Sequence, residues 1–128
     1  MSMRPNDRRY RESHEWAQKQ GDVLAVGITD HAVEQLGDLT FLDIKAKVGQ
    51  KVKAGDLIAE IESVKTVADI YAPMDGEITA VNAPLGQDVE PLGQSPFEKG
   101  WIVKLRPASA GAYDQLLDAA AYEKGIAH

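Results

Sequence analysis

Two short alternating runs on either side of Lys65 constrain this chain more than any other feature. In Leu57-Ile58-Ala59-Glu60-Ile61-Glu62, Leu57, Ala59 and Ile61 fall on one face, and Ile58, Glu60 and Glu62 on the other. In Ala68-Asp69-Ile70-Tyr71-Ala72, Ala68, Ile70 and Ala72 share the face opposite Asp69 and Tyr71. Period-two alternation marks a half-buried strand, and two such runs a few residues apart make a hairpin. Lys65 then stands at or near the hairpin tip, projecting into water from a rigid support of the kind that often carries function. Taken alone, a lysine at a turn is better explained by plain solvation.

The rest of the middle of the chain reads as strands and turns. Val23-Leu24-Ala25-Val26-Gly27-Ile28 is a strand. Thr29 or Asp30 then caps a short helix over residues 31–36, closed by Gly37. Leu39 to Ile44 returns to extended structure, Pro73-Met74-Asp75-Gly76 is a turn, and Glu77 to Val81 and Trp101 to Leu105 are further strands. Strands at such short spacing predict a mainly β core, barrel-like or sandwich-like. Tyr113, Leu116, Leu117 and Ala120 follow helical spacing, which predicts a C-terminal helix over about residues 112–124 with Gly125 as its stop. A weak repeat, Val48-Gly49-Gln50-Lys51-Val52-Lys53-Ala54-Gly55 against Leu85-Gly86-Gln87-Asp88-Val89-Glu90-Pro91-Leu92-Gly93, suggests a pseudo-twofold β structure with the Lys65 hairpin between the copies.

A chain of 128 residues suits one domain, here residues 10–128, with residues 1–9 as a flexible N-terminal arm. There is no cysteine, so disulfides, thiolate chemistry and cysteine-based metal sites are excluded. The net charge of −6 argues against a general nucleic-acid binder. No apolar run reaches the roughly 18 residues of a membrane span. The N-terminal arginines have no apolar stretch behind them, so no secretory signal is read and a cytoplasmic location is expected.

Independent catalysis finds little support. Ser13-His14-Glu15 places a hydroxyl, an imidazole and a carboxylate in a row, but neighbours on an extended segment point to opposite faces. His31 and His128 have no metal-ligand spacing partner, and no phosphate-cradling glycine loop is present. A carrier fits better. A lysine that accepts an acyl cofactor must be exposed, rigidly mounted and flanked by residues that a modifying enzyme reads. Glu62 and Asp69 flank Lys65, either as recognition groups or as solvated charges.

Several words along the chain together resemble a known family. They are Glu12-Ser13-His14-Glu15-Trp16, Val26-Gly27-Ile28-Thr29-Asp30-His31-Ala32, Leu36-Gly37-Asp38, Val52-Lys53-Ala54-Gly55, Glu62-Ser63-Val64-Lys65, Asp69-Ile70-Tyr71-Ala72-Pro73, Gly76-Glu77 and Gly100-Trp101. In this order and spacing, from about Tyr10 to Tyr122, the chain resembles the glycine cleavage system H proteins, within the lipoyl and biotinyl carrier superfamily. The resemblance implies a barrel-sandwich hybrid fold and lipoate in amide linkage to Lys65, with Glu62, Ser63 and Val64 read by a lipoate ligase or an octanoyl or lipoyl transferase. It implies a non-catalytic carrier that takes an aminomethyl group from glycine at glycine decarboxylase (P protein) and passes it to aminomethyltransferase (T protein). Dihydrolipoamide dehydrogenase (L protein) then reoxidises the carrier. It also implies a surface cleft for the loaded arm at Ser13, Glu15 and Asp69, with His31 nearby.

The alternatives are an H-like lipoate relay protein or a lipoyl domain serving a 2-oxoacid dehydrogenase complex. Val64 and Thr66 stand where biotin carriers have methionine, which argues against biotin. The segment Pro91 to Phe97 departs from the family pattern in lacking an asparagine near Gly93 and in having Phe97 where tyrosine is common.

Overall fold

The computed structural model describes residues 5–109 and 111–126. His128 and the first residues of the expected arm lie outside the described residues. The strands are β1 (Arg9–Tyr10), β2 (Glu15–Gln20), β3 (Val23–Ile28), β4 (Leu39–Ile44), β5 (Lys51–Val52), β6 (Leu57–Ser63), β7 (Val67–Tyr71), β8 (Gly76–Val81) and β9 (Val103–Pro107). They form a six-stranded sheet in the order β1-β2-β3-β9-β8-β5 and a three-stranded sheet in the order β4-β6-β7. Helices are α1 (Asp30–Leu36), α2 (Glu90–Gln94) and α3 (Ala119–Ile126). Among the described residues no helix is long and apolar enough to cross a membrane.

The main core is drawn from both sheets. Leu24, Val26 and Ile28 of β3, Ile58 and Ile61 of β6, Ile70 of β7, Ile78 of β8 and Leu105 of β9 belong to one buried cluster. A second cluster of Tyr10, Trp16, Ala25, Ala119 and Tyr122 covers the other face of β2 and β3. Neighbours along β2 therefore serve different cores, Trp16 the second and Ala17 the first. Burial on both faces explains why β3 is an unbroken apolar run. It also requires Gly27 opposite Trp16, since a Cβ there would lie 2.7 Å from the indole ring.

Thr29 caps α1 by accepting a hydrogen bond from the Ala32 amide at 3.2 Å, and Gly37 ends the helix at φ 81°. The hairpin expected around Lys65 is β6–β7, paired from Leu57↔Tyr71 to Glu62↔Val67. Its alternation is interrupted by a bulge between Leu57 and Ala59, so Ile58 and Ala59 are both buried while Leu57 is exposed.

Other expectations are revised. The C-terminal segment is not one helix from residue 112. A 3-10 turn at Tyr113–Gln115 comes first, and Leu117 then makes two backbone hydrogen bonds to Tyr10. Only after Asp118 caps the Ala121 amide does α3 begin, and it buries Ala119 and Tyr122 while Ala120 is exposed. Gly125 lies inside α3 and does not end it. The repeat does not persist as local structure: its first copy leads into β5, its second forms a 3-10 turn at Ala83–Gly86 and then α2. Strand β9 starts at Val103, and just before it the Ile102 amide donates to the Val26 carbonyl of β3 at 2.7 Å. At the N-terminal side Arg8 is buried and donates to the Phe97 carbonyl, and Arg9 pairs with Ala17.

Candidate functional site

Lys65 is exposed in the connection between β6 and β7. Its backbone is held from two sides. Within the turn, the Ser63 hydroxyl oxygen accepts from the Thr66 amide at 3.2 Å and from the Lys65 amide at 3.4 Å, while the Ser63 amide donates to the Thr66 carbonyl at 2.8 Å. From outside, the Asp38 carbonyl accepts the Val64 amide at 3.0 Å. The loop after α1 thus braces the turn. The lysine stem lies beside Gly37, where a Cβ would sit 3.7 Å from Lys65 Cε. Glu62 and Val64, expected to be read by a modifying enzyme, are exposed, and Ser63 is the turn's internal hub.

The second part of the site begins where the chain enters β2. The Arg11 amide donates to the Glu15 carbonyl and the His14 amide to the Arg11 carbonyl, closing a tight turn. His14 sits at φ 80°, a left-handed conformation that few residues other than glycine adopt. The Ser13-His14-Glu15 segment is therefore a turn entering a strand, not a fully extended one. Its consequence matches the expectation that no triad forms. Ser13 and Glu15 are joined by a short hydrogen bond from the serine hydroxyl to Glu15 Oε1. His14 turns away, placing Nδ1 2.7 Å from the Tyr122 hydroxyl.

Glu15 is only 1% exposed. Its Oε2 accepts the Tyr71 amide at 3.0 Å, which links β2 to the free edge of β7. Burial pushes its carboxyl above the ordinary value, and the Ser13 hydroxyl, the Tyr71 amide and the Arg11 charge pull in the opposite direction. Arg11 Nη1 donates to Ser13 Oγ at 2.6 Å and lies 3.9 Å from Glu15 Oε1. Its guanidinium rests over the Tyr71 ring at 5.7 Å, and the Tyr71 hydroxyl reaches Asp69 Oδ2 at 3.5 Å.

Ser13, Glu15 and Asp69 are thus connected through Arg11 and Tyr71, two residues that the sequence reading did not single out. His31 belongs to a different group. Its ring packs on His14 at 4.8 Å, and both histidines line an open groove with Glu12, Gln35 and Tyr122. Asp69 lies on the same strand as Tyr71, four positions beyond Lys65, so the acidic cluster and the hairpin tip share one edge of the smaller sheet.

Comparison with known proteins gives one consistent answer. The profile of the family described as Glycine cleavage H-protein matches residues 8–128. The glycine cleavage system H protein of Bordetella pertussis is 52% identical over 119 residues, covering 93% of this chain and 94% of that protein. The H protein of Deinococcus radiodurans is 50% identical over 123 residues, with 96% and 97% coverage. The crystal structure of a glycine cleavage system H protein from Mycobacterium marinum superposes with a TM-score of 0.86 at 37% identity, covering 97% of this chain and 99% of that one. With the braced hairpin lysine, the paired sheets and this agreement along nearly its whole length, the chain belongs to the glycine cleavage H-protein family.

Proposed function

We propose that the chain is a lipoyl carrier of glycine cleavage, with lipoate amide-linked to Lys65 and with the P, T and L proteins of that system as its partners. The observation that carries this reading is the mounting of Lys65: an exposed side chain on a turn whose backbone is pinned by Ser63 and by the Asp38 carbonyl. An acyl-transferring enzyme needs an accessible amine on a backbone that does not give way, and this turn supplies both. A lipoyl group held there would supply a disulfide that opens as it takes up the aminomethyl group and is re-formed by oxidation once that group has left.

The protein's own part is to present and to shelter. Glu62 and Val64 give a modifying enzyme exposed handles on one side of the lysine, and Ser63 keeps the turn in one shape. Glu15 and Asp69 provide negative charge along the same sheet edge, and the Ser13 hydroxyl directs Glu15 Oε1. A cationic amine held there gains a charge-assisted hydrogen bond worth about 1.5–3 kcal/mol, enough to shield a labile cargo and little enough to let it go. Asp69 is exposed and easily reached, whereas Glu15 is buried and acts only once its cover opens.

The test is a peptide mass map of the chain after incubation with lipoate, ATP and a lipoate ligase. A lipoyl mass on the Lys65 peptide, absent from Lys65→Ala, is expected. Glycine and glycine decarboxylase, supplied to the oxidised disulfide form, should add an aminomethyl mass to the same peptide, because the disulfide takes the electron pair released with carbon dioxide. Lipoylation without that second increment would remove the glycine assignment and point to a relay or to another dehydrogenase complex.

A further inference from the structure

Arg11 is the unexplained residue in this site. A pair built to hold a cationic cargo is already in contact with a cation. The guanidinium donates to Ser13 Oγ at 2.6 Å and stands 3.9 Å from Glu15 Oε1. Tyr71 lies beneath it at 5.7 Å, and Arg11 Nη2 lies 3.6 Å from where a Cβ on Gly55 would be. Three parts of the fold therefore converge on one side chain: the turn before β2, the turn before β6, and the edge strand β7. Arg11 keeps 29% of its side-chain exposure, whereas Glu15 keeps 1%, so the guanidinium forms the outer layer over the carboxylate.

We propose that Arg11 is a resident cation that closes the Ser13–Glu15 pair in the unloaded protein, and that a cationic cargo enters by displacing it. The idea rests on the carrier reading for the nature of that cargo. Two cations beside one buried carboxylate repel each other, so a cargo that takes Glu15 Oε1 competes with Arg11 for it. Arg11 already rests against the Tyr71 ring, and Asp69 beyond the Tyr71 hydroxyl offers it a second carboxylate when it leaves the first. When the cargo leaves, the guanidinium returns and the subsite closes again. Arg11 thus acts as a positioning residue that sets how tightly cargo is held, and release is helped by a competitor that belongs to the chain itself.

The experiment uses the unmodified protein and methylammonium as the probe, followed by the amide NMR shifts of Ser13, Glu15 and Tyr71 in mildly alkaline buffer. Arg11→Gln should bind methylammonium about threefold more tightly than the unsubstituted chain, the gain expected from removing one partly exposed competing charge. Arg11→Lys should behave like the unsubstituted chain, because it restores a cation. Adding Glu15→Gln to Arg11→Gln should cancel the gain. Unchanged or weaker binding by Arg11→Gln overturns the proposal, as does a gain that survives Glu15→Gln. Saturation in none of the variants overturns it too, since the pair would then take no cation with or without Arg11. No lipoate is present, so a failure of Lys65 to accept lipoate would be seen separately and would sink the carrier reading alone.

Discussion

Glu15 shows how one buried carboxylate ties stability to pH. Its carboxyl is raised from 4.5, chiefly by burial, so the folded protein holds that proton more tightly than the unfolded chain does. The stability that this group contributes is fully present below the unfolded value and is lost as pH rises through the folded one. Glu15→Gln removes the titration, so the urea midpoint of the unsubstituted chain should fall relative to the variant between mildly acidic and neutral pH. A constant difference across that window would show that no charge is buried there. Lys65 bears on modification and not on stability. It is exposed, so Lys65→Ala should lose all lipoylation while unfolding within about 0.5 kcal/mol of the unsubstituted chain, read by thermal or urea denaturation.

At the scale of elements, the sequence was most legible where local chemistry decides structure. Thr29 and Gly37 bound α1 as cap chemistry requires, and the β6–β7 hairpin follows from alternation. It was least legible where a distant partner decides. The bulge at Ile58 and the late start of α3 answer to contacts with residues remote in sequence, β7 and the Tyr10–Leu117 bridge, while the left-handed His14 closes the Arg11–Glu15 turn and is held from a distance by the Thr29 amide on its carbonyl. The same holds within the site. Ser13, Glu15 and Asp69 were legible as words, but the joining contacts of Arg11 and Tyr71 were not, because they depend on how the turn before β2 meets β7. Thr29 belongs to both classes, since it caps α1 and its hydroxyl also meets the Tyr122 hydroxyl at 2.8 Å. Thr29→Ala should therefore cost about 1–3 kcal/mol in urea denaturation, more than a cap alone, while Thr29→Ser should cost well under half of that. Equal losses would mean that the methyl group, not the hydroxyl, matters.

Across the whole molecule, the division into two cores separates what holds the tail from what holds the hairpin. Tyr122 stacks on Tyr10 at 4.8 Å in the outer cluster, whereas the Lys65 hairpin is rooted in the main cluster through Ile58, Ile61 and Ile70. Tyr122→Ala should cost about 3–5 kcal/mol, as aromatic truncations in cores do, and alter Trp16 fluorescence. The fraction that remains folded should still be lipoylated at the normal rate. Slower modification of that fraction would show that the two cores are coupled. The outer cluster escaped the sequence reading because β3 carries one unbroken apolar run, which alternation cannot divide between two faces.

The bracing of the Lys65 turn has a consequence for reach. A tether on a wandering base smears its free end through a large volume, and the local concentration of that end at any one partner drops accordingly. With the base fixed by Ser63 and by the Asp38 carbonyl, whatever hangs from Lys65 sweeps a shell whose radius is set by the tether alone. A protein that docked on the same sheet edge would then meet a high local dose of that tethered end.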